Sequence, residues 1–221
     1  VSAAIVIDAS RSMKPAVKAA QDALRSFLML AWPEDEYGLV VCQDKADVMI
    51  PLTKDSGRLV DLIPFLTPTG STPLFDSIER AVHLVQRGHN SKKVVVVISD
   101  GEDTSSRITL FELERLLEEA DVHLYVVQLW AGSVSDYRFA LRKSVDETGG
   151  SFFTDVSPKR LPEAISKLDV HWQYVIAFEP PENTHVRSHS IQVGMAGEAK
   201  VKNFQIFYRH AYTEPLSGSV N

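Results

Sequence analysis

Three oxygen-bearing side chains stand at alternate positions in the stretch Val6-Ile7-Asp8-Ala9-Ser10-Arg11-Ser12. One carboxylate and two hydroxyls in a turn offer hard donors suited to a small divalent cation that prefers octahedral oxygen coordination. The same spacing also fits a helix N-cap, in which Ser10 or Ser12 accepts backbone N–H groups of a helix beginning near Lys14 and Pro15. On these residues alone both readings stand. A second apolar run, Val94 to Ile98, ends in Ser99-Asp100-Gly101-Glu102-Asp103 and so repeats the logic of the first.

The elements around these stretches decide where they can lie. Residues 1–7 are short, β-branched and almost free of polar groups, as a central strand buried on both faces of a parallel sheet must be. Ligands of such sheets bind beyond the carboxyl ends of the strands, which is where Asp8, Ser10 and Ser12 would sit. Residues 16–31 carry apolar side chains at three-four spacing and predict an amphipathic helix stopped before Pro33. Residues 37–42 and 47–52 read as strands joined by a hairpin-length connection, so the second runs antiparallel at an edge. A short helical stretch over 57–65 leads into the hydroxyl-rich loop 67–73. Thr72 and Pro73 then fall at the cap and first turn of a helix over 74–86. After the strand at 94–98 come a helix at 110–120, a strand at 122–129, a helix at 137–148 closed by Gly149-Gly150, a strand at 151–154 and a helix at 158–168. This alternation predicts a three-layer α/β sandwich with a mostly parallel central sheet and one antiparallel edge strand.

From Trp172 the pattern turns to strands alone, at 173–178, 190–195 and 204–208, with a Ser/Gly-rich end. The expected organisation is a main domain over 1–170, a β-rich extension over 171–212 packed on or extending the main sheet, and a frayed tail over 213–221.

Composition narrows the function. The 221 residues are 44% hydrophobic and 24% charged with a formal net charge of −6. That charge and the scattered basic residues argue against nucleic-acid binding, and no stretch is apolar enough to span a bilayer. A single cysteine, Cys42, cannot form an intrachain disulfide and reads as a buried, inert thiol. The seven histidines show no metal-ligand spacing, so no zinc site is proposed. Trp32, Trp130 and Trp172 sit at element ends, where packing is the simpler reading. A chain that opens at Val1 directly into a strand reads as a segment of a longer protein, and the lack of a leader says nothing about export.

Asp8-x-Ser10-x-Ser12 after a first strand, Gly70-Ser71-Thr72-Pro73-Leu74 before a helix, and Ser99-Asp100-Gly101 after a valine-rich strand together resemble the von Willebrand factor type A family. The resemblance covers roughly residues 1–168 and implies a Rossmann-like fold with an intact metal-ion-dependent adhesion site. By that resemblance Ser10, Ser12 and Thr72 are hydroxyl ligands, and Asp8 and Asp100 reach the ion directly or through water. The tail resembles the C-terminal strands of a bacterial, acidobacterial-type subfamily, on Tyr174-x-Ile176-x-Phe178-x-Pro180, His189-x-Ile191-x-Val193 and Phe207-Tyr208-Arg209. Members of that subfamily are mostly exported, which implies an extracellular or periplasmic location.

Three neutral hydroxyls and at most two carboxylates leave a divalent ion with residual positive charge. Its remaining position can then accept an Asp or Glu carboxylate from a partner protein. Mg²⁺ is the expected ion, with Mn²⁺ or Ca²⁺ as substitutes. Glu102 and Asp103 are candidates to orient hydroxyl or water ligands, although Asp103-Thr104-Ser105-Ser106 also reads as a solvated loop. Arg11 and Lys14 could face an acidic partner, but solvent-exposed charge is the simpler account. The rival function is a Mg²⁺-dependent phosphoryl-transfer enzyme with Asp8 as nucleophile. Ser10 occupies the place where such an enzyme needs a second acid, and no lysine follows the later strands. A dinucleotide site is disfavoured because the turn after the first strand has no glycines.

Overall fold

The computed structural model describes residues 1–29, 31–129, 141–168, 170–171, 188–194 and 208–213. Strand β1 (Ser2–Asp8) is buried along its whole length. It pairs in parallel with β2 (Glu36–Gln43) on one side and with β4 (Lys93–Ser99) on the other. Beyond β2 lies β3 (Lys45–Thr53), the antiparallel edge, and beyond β4 lie β5 (His123–Leu129) and β6 (Phe152–Val156), giving the order β3-β2-β1-β4-β5-β6. The expected mixed sheet with one backward edge strand is therefore present. Because the chain leaves β1 toward β2 but later returns on its other side as β4, a crevice opens at the carboxyl ends of these two strands.

Successive residues of β1 point to opposite faces. Ala3, Ile5 and Ile7 join one core with Leu24 and Phe27 of α1 (Val17–Leu28), Leu59 of α2 (Gly57–Leu62) and Ile165 of α6 (Leu161–Ser166). Ala4 and Val6 join the other, with Ile78 and Val82 of α3 (Leu74–Val85), Leu113 of α4 (Leu110–Glu119) and Val145 of α5 (Arg142–Glu147). Each fully buried aliphatic side chain of this kind contributes about 1.5–3 kcal/mol, so two dry cores hold the strand ends that carry the polar residues.

Several elements are shorter than their sequence patterns. The helix expected over 16–31 starts at Val17, after a separate 3-10 turn at Arg11–Met13. The one expected over 158–168 is a 3-10 turn, Pro158–Arg160, followed by α6. Residues 130–140, with Trp130 and the first part of the helix expected at 137–148, lie outside the described residues. So do the strand expected at 173–178, Trp172, and all of the strand expected at 204–208 except Tyr208.

In the tail, β7 (Ser188–Ser190) pairs antiparallel with β8 (Ala211–Thr213) in a two-stranded sheet separate from the main one. The strand expected over 190–195 is thus displaced: Ile191 and Val193 keep their half-buried alternation outside a strand, and Ile191 N–H extends the β7–β8 pairing by one bond, to the His210 carbonyl at 2.7 Å. The tail meets the main body at Arg209, which bridges to Thr148 and donates to Asp121 Oδ1 at 3.2 Å and to the Glu118 carbonyl.

Candidate metal centre

The parallel register sets Ile7 opposite Ile98, so the next residues, Asp8 and Ser99, come side by side at the crevice. Asp8 is fully buried. Its Oδ1 accepts the Ser10 N–H at 2.8 Å, and its Oδ2 accepts the Ser99 hydroxyl at 2.6 Å. Ser10 Oγ lies 3.1 Å from Ser12 Oγ, which sets the two hydroxyls together. Neither serine starts the long helix. Ser10 precedes the 3-10 turn without making a side-chain cap bond, and Lys14 to Ala16 separate that turn from α1. The N-cap reading of this loop is therefore overturned, because the hydroxyls face each other instead of the first-turn N–H groups.

Asp100 follows the end of β4 and is also buried. Its Oδ1 accepts the Glu102 N–H at 3.1 Å, whereas Oδ2 is buried without a hydrogen-bond partner. The turn beyond it needs Gly101, whose φ is +85° and whose Cβ, if present, would stand 2.3 Å from Gln128 Nε2. That amide donates to the Asp100 carbonyl at 3.1 Å and so fixes the turn from β5. Burial pushes the Asp8 carboxyl up to about 6, the charge of Asp100 adds to the rise, and the bonds from Ser10 and Ser99 oppose it. Burial likewise raises Asp100, against the lowering effect of the Ser12 hydroxyl and the Glu102 N–H. Burial disfavours the charge of both carboxylates and Asp100 adds to the cost at Asp8, an arrangement a cation would relieve.

Thr72 is buried on the loop before α3. That loop lies along the β1 loop, with Thr69 N–H donating to the Ala9 carbonyl at 2.9 Å and Arg11 N–H to the Gly70 carbonyl at 3.2 Å. Thr72 is not the cap of α3. Pro73 holds the cap position without a side-chain bond, and the N–H groups of Leu74 and Phe75 in the first turn are satisfied by Asp103 from the loop after β4. Of the two acidic residues after Gly101, Glu102 contributes its backbone N–H to Asp100, and Asp103 binds the start of α3.

Among the described residues no three His, Cys, Asp or Glu side chains group so as to hold a metal ion. The oxygens of Asp8, Ser10, Ser12 and Asp100 at the crevice form a donor set of a different kind, rich in hydroxyls, and the unpartnered Asp100 Oδ2 fits a hard divalent cation. Sequence reasoning missed Ser99 and Gln128. Each had a signal: Ser99 is a hydroxyl at the end of a buried strand, and Gln128 a lone amide within the apolar run at 122–129. Cys42 is buried as expected, and burial pushes its thiol well above the ordinary range.

A parallel sheet with helices on both faces and an oxygen-lined crevice at its switch point defines the Rossmann-like class. Residues 3–102 of the 221 match the model of the von Willebrand factor type A domain. The fold is similar to that of a von Willebrand factor type A protein from Catenulispora acidiphila, with a TM-score of 0.65 and 19% identity over 74% of this chain; the chain spans 40% of that protein's length. It is also similar to the SpRpn10 VWA domain, with a TM-score of 0.59, 20% identity, and coverage of 80% of this chain and 98% of that one. The vWF domain of the type V pili tip protein Mfa5 from Porphyromonas gingivalis gives a TM-score of 0.63 at 13% identity, with the same coverage of 80% and 98%. At these identities the likeness establishes the fold. No curated protein matches the sequence. Among the described residues no helix is long and apolar enough to cross a membrane.

Proposed function

We propose that this chain is a protein-binding module whose contact with its partner runs through a divalent cation, Mg²⁺ first, with Mn²⁺ or Ca²⁺ able to substitute. Ser10, Ser12 and Thr72 supply neutral oxygens, and Asp8 and Asp100 supply charge directly or through water. The bound ion, left electrophilic by so few carboxylates, would take an Asp or Glu side chain of the partner as a further ligand. The observation that carries this reading is the pair Asp8 and Asp100: both buried, each raising the cost of ionising in the crevice, with one carboxylate oxygen of Asp100 left without a donor. The von Willebrand factor type A family, a family of interaction and adhesion domains, supports the binding role. The pilus-tip protein among the structural neighbours is consistent with a location outside the cytoplasm, extracellular or periplasmic.

Asp8 makes a poor nucleophile in this setting. Ser10, two residues on, is a hydroxyl where such a reaction needs a second acid, and Asp8 is fully buried. Calorimetric titration with Mg²⁺ and Mn²⁺ of the wild type and of Asp8→Ala combined with Ser12→Ala tests the site. One ion per chain in the wild type and none in the double variant is expected. Equal binding by the two proteins would remove this crevice as the metal centre. Capture of partners with and without EDTA, followed by their identification, then tests the binding role.

A further inference from the structure

Thr72 stands on a loop that carries no cap of its own for the helix it leads into. Pro73 has no N–H and caps nothing with its side chain, so the N–H groups of Leu74 and Phe75 need an acceptor from elsewhere. Asp103 Oδ1 takes both, at 2.7 and 3.2 Å, and also accepts the Ser106 hydroxyl at 2.5 Å. The residue next to it completes the grip. Thr104 Oγ1 accepts the Thr72 N–H at 2.9 Å, and the Thr104 N–H returns to the Thr72 carbonyl at 2.8 Å. Both backbone groups of Thr72 are therefore held by the segment that begins three residues after Asp100.

The clasp has a second half farther along α3. Asp76 N–H donates to Ser106 Oγ at 3.1 Å, and Asp76 Oδ1 accepts the N–H groups of Arg107 and Ile108 at 2.9 and 3.1 Å. This half joins the same two segments without touching the residues that flank Thr72. From the other side, Asp44 at the β2–β3 hairpin accepts the Ser71 N–H at 2.9 Å from a left-handed backbone with φ of 53°.

We infer that Asp103 is a positioning residue for Thr72: by capping α3 across the crevice it fixes the threonine hydroxyl relative to Asp100 before an ion arrives. This rests on the metal-dependent reading above and adds to it the device that couples two of its loops. The action is through hydrogen-bond acceptance at Oδ1, and the carboxylate charge is secondary. Asn at this position keeps the oxygen and loses the charge, and Ala loses both.

Mn²⁺ titration followed by electron paramagnetic resonance, with thermal melting in EDTA, compares the wild type with Asp103→Ala, Asp103→Asn and Asp76→Ala. Asp103→Ala should weaken Mn²⁺ binding about tenfold, as removal of groups that orient metal ligands commonly does. Asp103→Asn should recover most of that loss. Asp76→Ala should lower the melting temperature in EDTA about as much as Asp103→Ala while leaving Mn²⁺ affinity within about twofold of the wild type, because its side chain bonds Arg107 and Ile108 and the backbone bond from residue 76 to Ser106 survives the change. Three results overturn the inference: unchanged affinity in Asp103→Ala, affinity in Asp103→Asn as weak as in Ala, or a loss of Mn²⁺ affinity in Asp76→Ala equal to that in Asp103→Ala. A wild type that binds no Mn²⁺ overturns the metal reading itself, and a wild type that binds while Asp103→Ala is unaltered overturns only the positioning role.

Discussion

Ser99 donates its hydroxyl to Asp8 Oδ2 at 2.6 Å across the parallel β1–β4 pair and accepts the Gly101 N–H at 3.0 Å. One small side chain thereby orients the carboxylate that ends one strand and the turn that follows the next. Ser99→Ala leaves a buried carboxylate oxygen and a backbone N–H without their partner, which costs about 1–3 kcal/mol. The expected result is a lower melting temperature in EDTA and weaker Mn²⁺ binding, with the Asp8 carboxyl rising further above about 6 because a lowering bond is gone. Thermal melts and metal titrations over a pH series check both, and a variant equal to the wild type in each would remove Ser99 from the site.

The raised Asp8 carboxyl makes a second prediction with a definite sign. Its folded value of about 6 exceeds the unfolded one, so the native state holds more protons between about pH 4 and 6 and loses stability as pH rises through that window. Above about pH 6 the full cost is present, up to about 3 kcal/mol. Asp8→Asn escapes it. In EDTA at pH 7.5 this variant should therefore be more stable than the wild type, with the difference shrinking toward pH 4. Saturating Mg²⁺ should reverse the order, since only the wild type retains the charged ligand. Urea denaturation at both pH values, with and without the ion, measures the crossing.

The far end of the sheet supplies the opposite sign. Although burial pushes the Glu36 carboxyl up, bonds from the His89 N–H, the Ser2 hydroxyl and the His89 ring hold it down to about 2. Its contribution is present above the unfolded value near 4.5 and is lost as pH falls toward about 2. Glu36→Gln should lower stability at pH 7 by about 1–3 kcal/mol, as loss of hydrogen bonds to a charged group does. Near pH 2 the variant and the wild type should converge. Denaturation curves at the two pH values separate this effect from a packing defect, which would persist at both.

How much of this was legible in the sequence differs between backbone and contacts. The buried run Ser2–Asp8 and the valine strand Lys93–Ser99 announce themselves through hydrophobic continuity, because a strand covered on both faces has little room for polar side chains between its ends. Their adjacency follows from crossover rules, and with it the meeting of Asp8 and Asp100. The serines misled by spacing alone, since a hydroxyl before a helix reads as a cap whether it faces N–H groups or another hydroxyl. The cap of α3 was invisible for a plainer reason. Asp103 lies 29 residues from Leu74, and nothing local in either segment says that they touch. The tail was read from alternation, but its pairing stops one bond beyond β7, at Ile191 and His210, because pairing partners are set by the fold and not by the period.

Thr72 makes the last prediction, and its loop decides the sign. Sequence spacing suggests a ligand free to exchange, because Thr72 belongs to a different segment from Asp8, Ser10 and Ser12. The hydrogen bonds argue for a held position. Arg11 N–H reaches the Gly70 carbonyl at 3.2 Å, Gln43 Nε2 reaches the Thr67 carbonyl at 2.8 Å, and Thr104 holds Thr72 at both backbone groups. A hydroxyl fixed from three neighbouring segments should contribute to the metal alone as well as to the partner-bound state. Thr72→Ala should then weaken Mn²⁺ binding several-fold, a loss of about 1 kcal/mol for a neutral hydroxyl ligand, and Thr72→Ser should retain most of the affinity. Parallel titrations with metal alone and with metal plus an acidic peptide decide the matter. Comparable losses in both mark Thr72 as a constitutive ligand. A loss confined to the peptide titration would show instead that the loop shifts on partner binding despite its bonds, and that the clasp at Asp103 opens when the partner's carboxylate arrives.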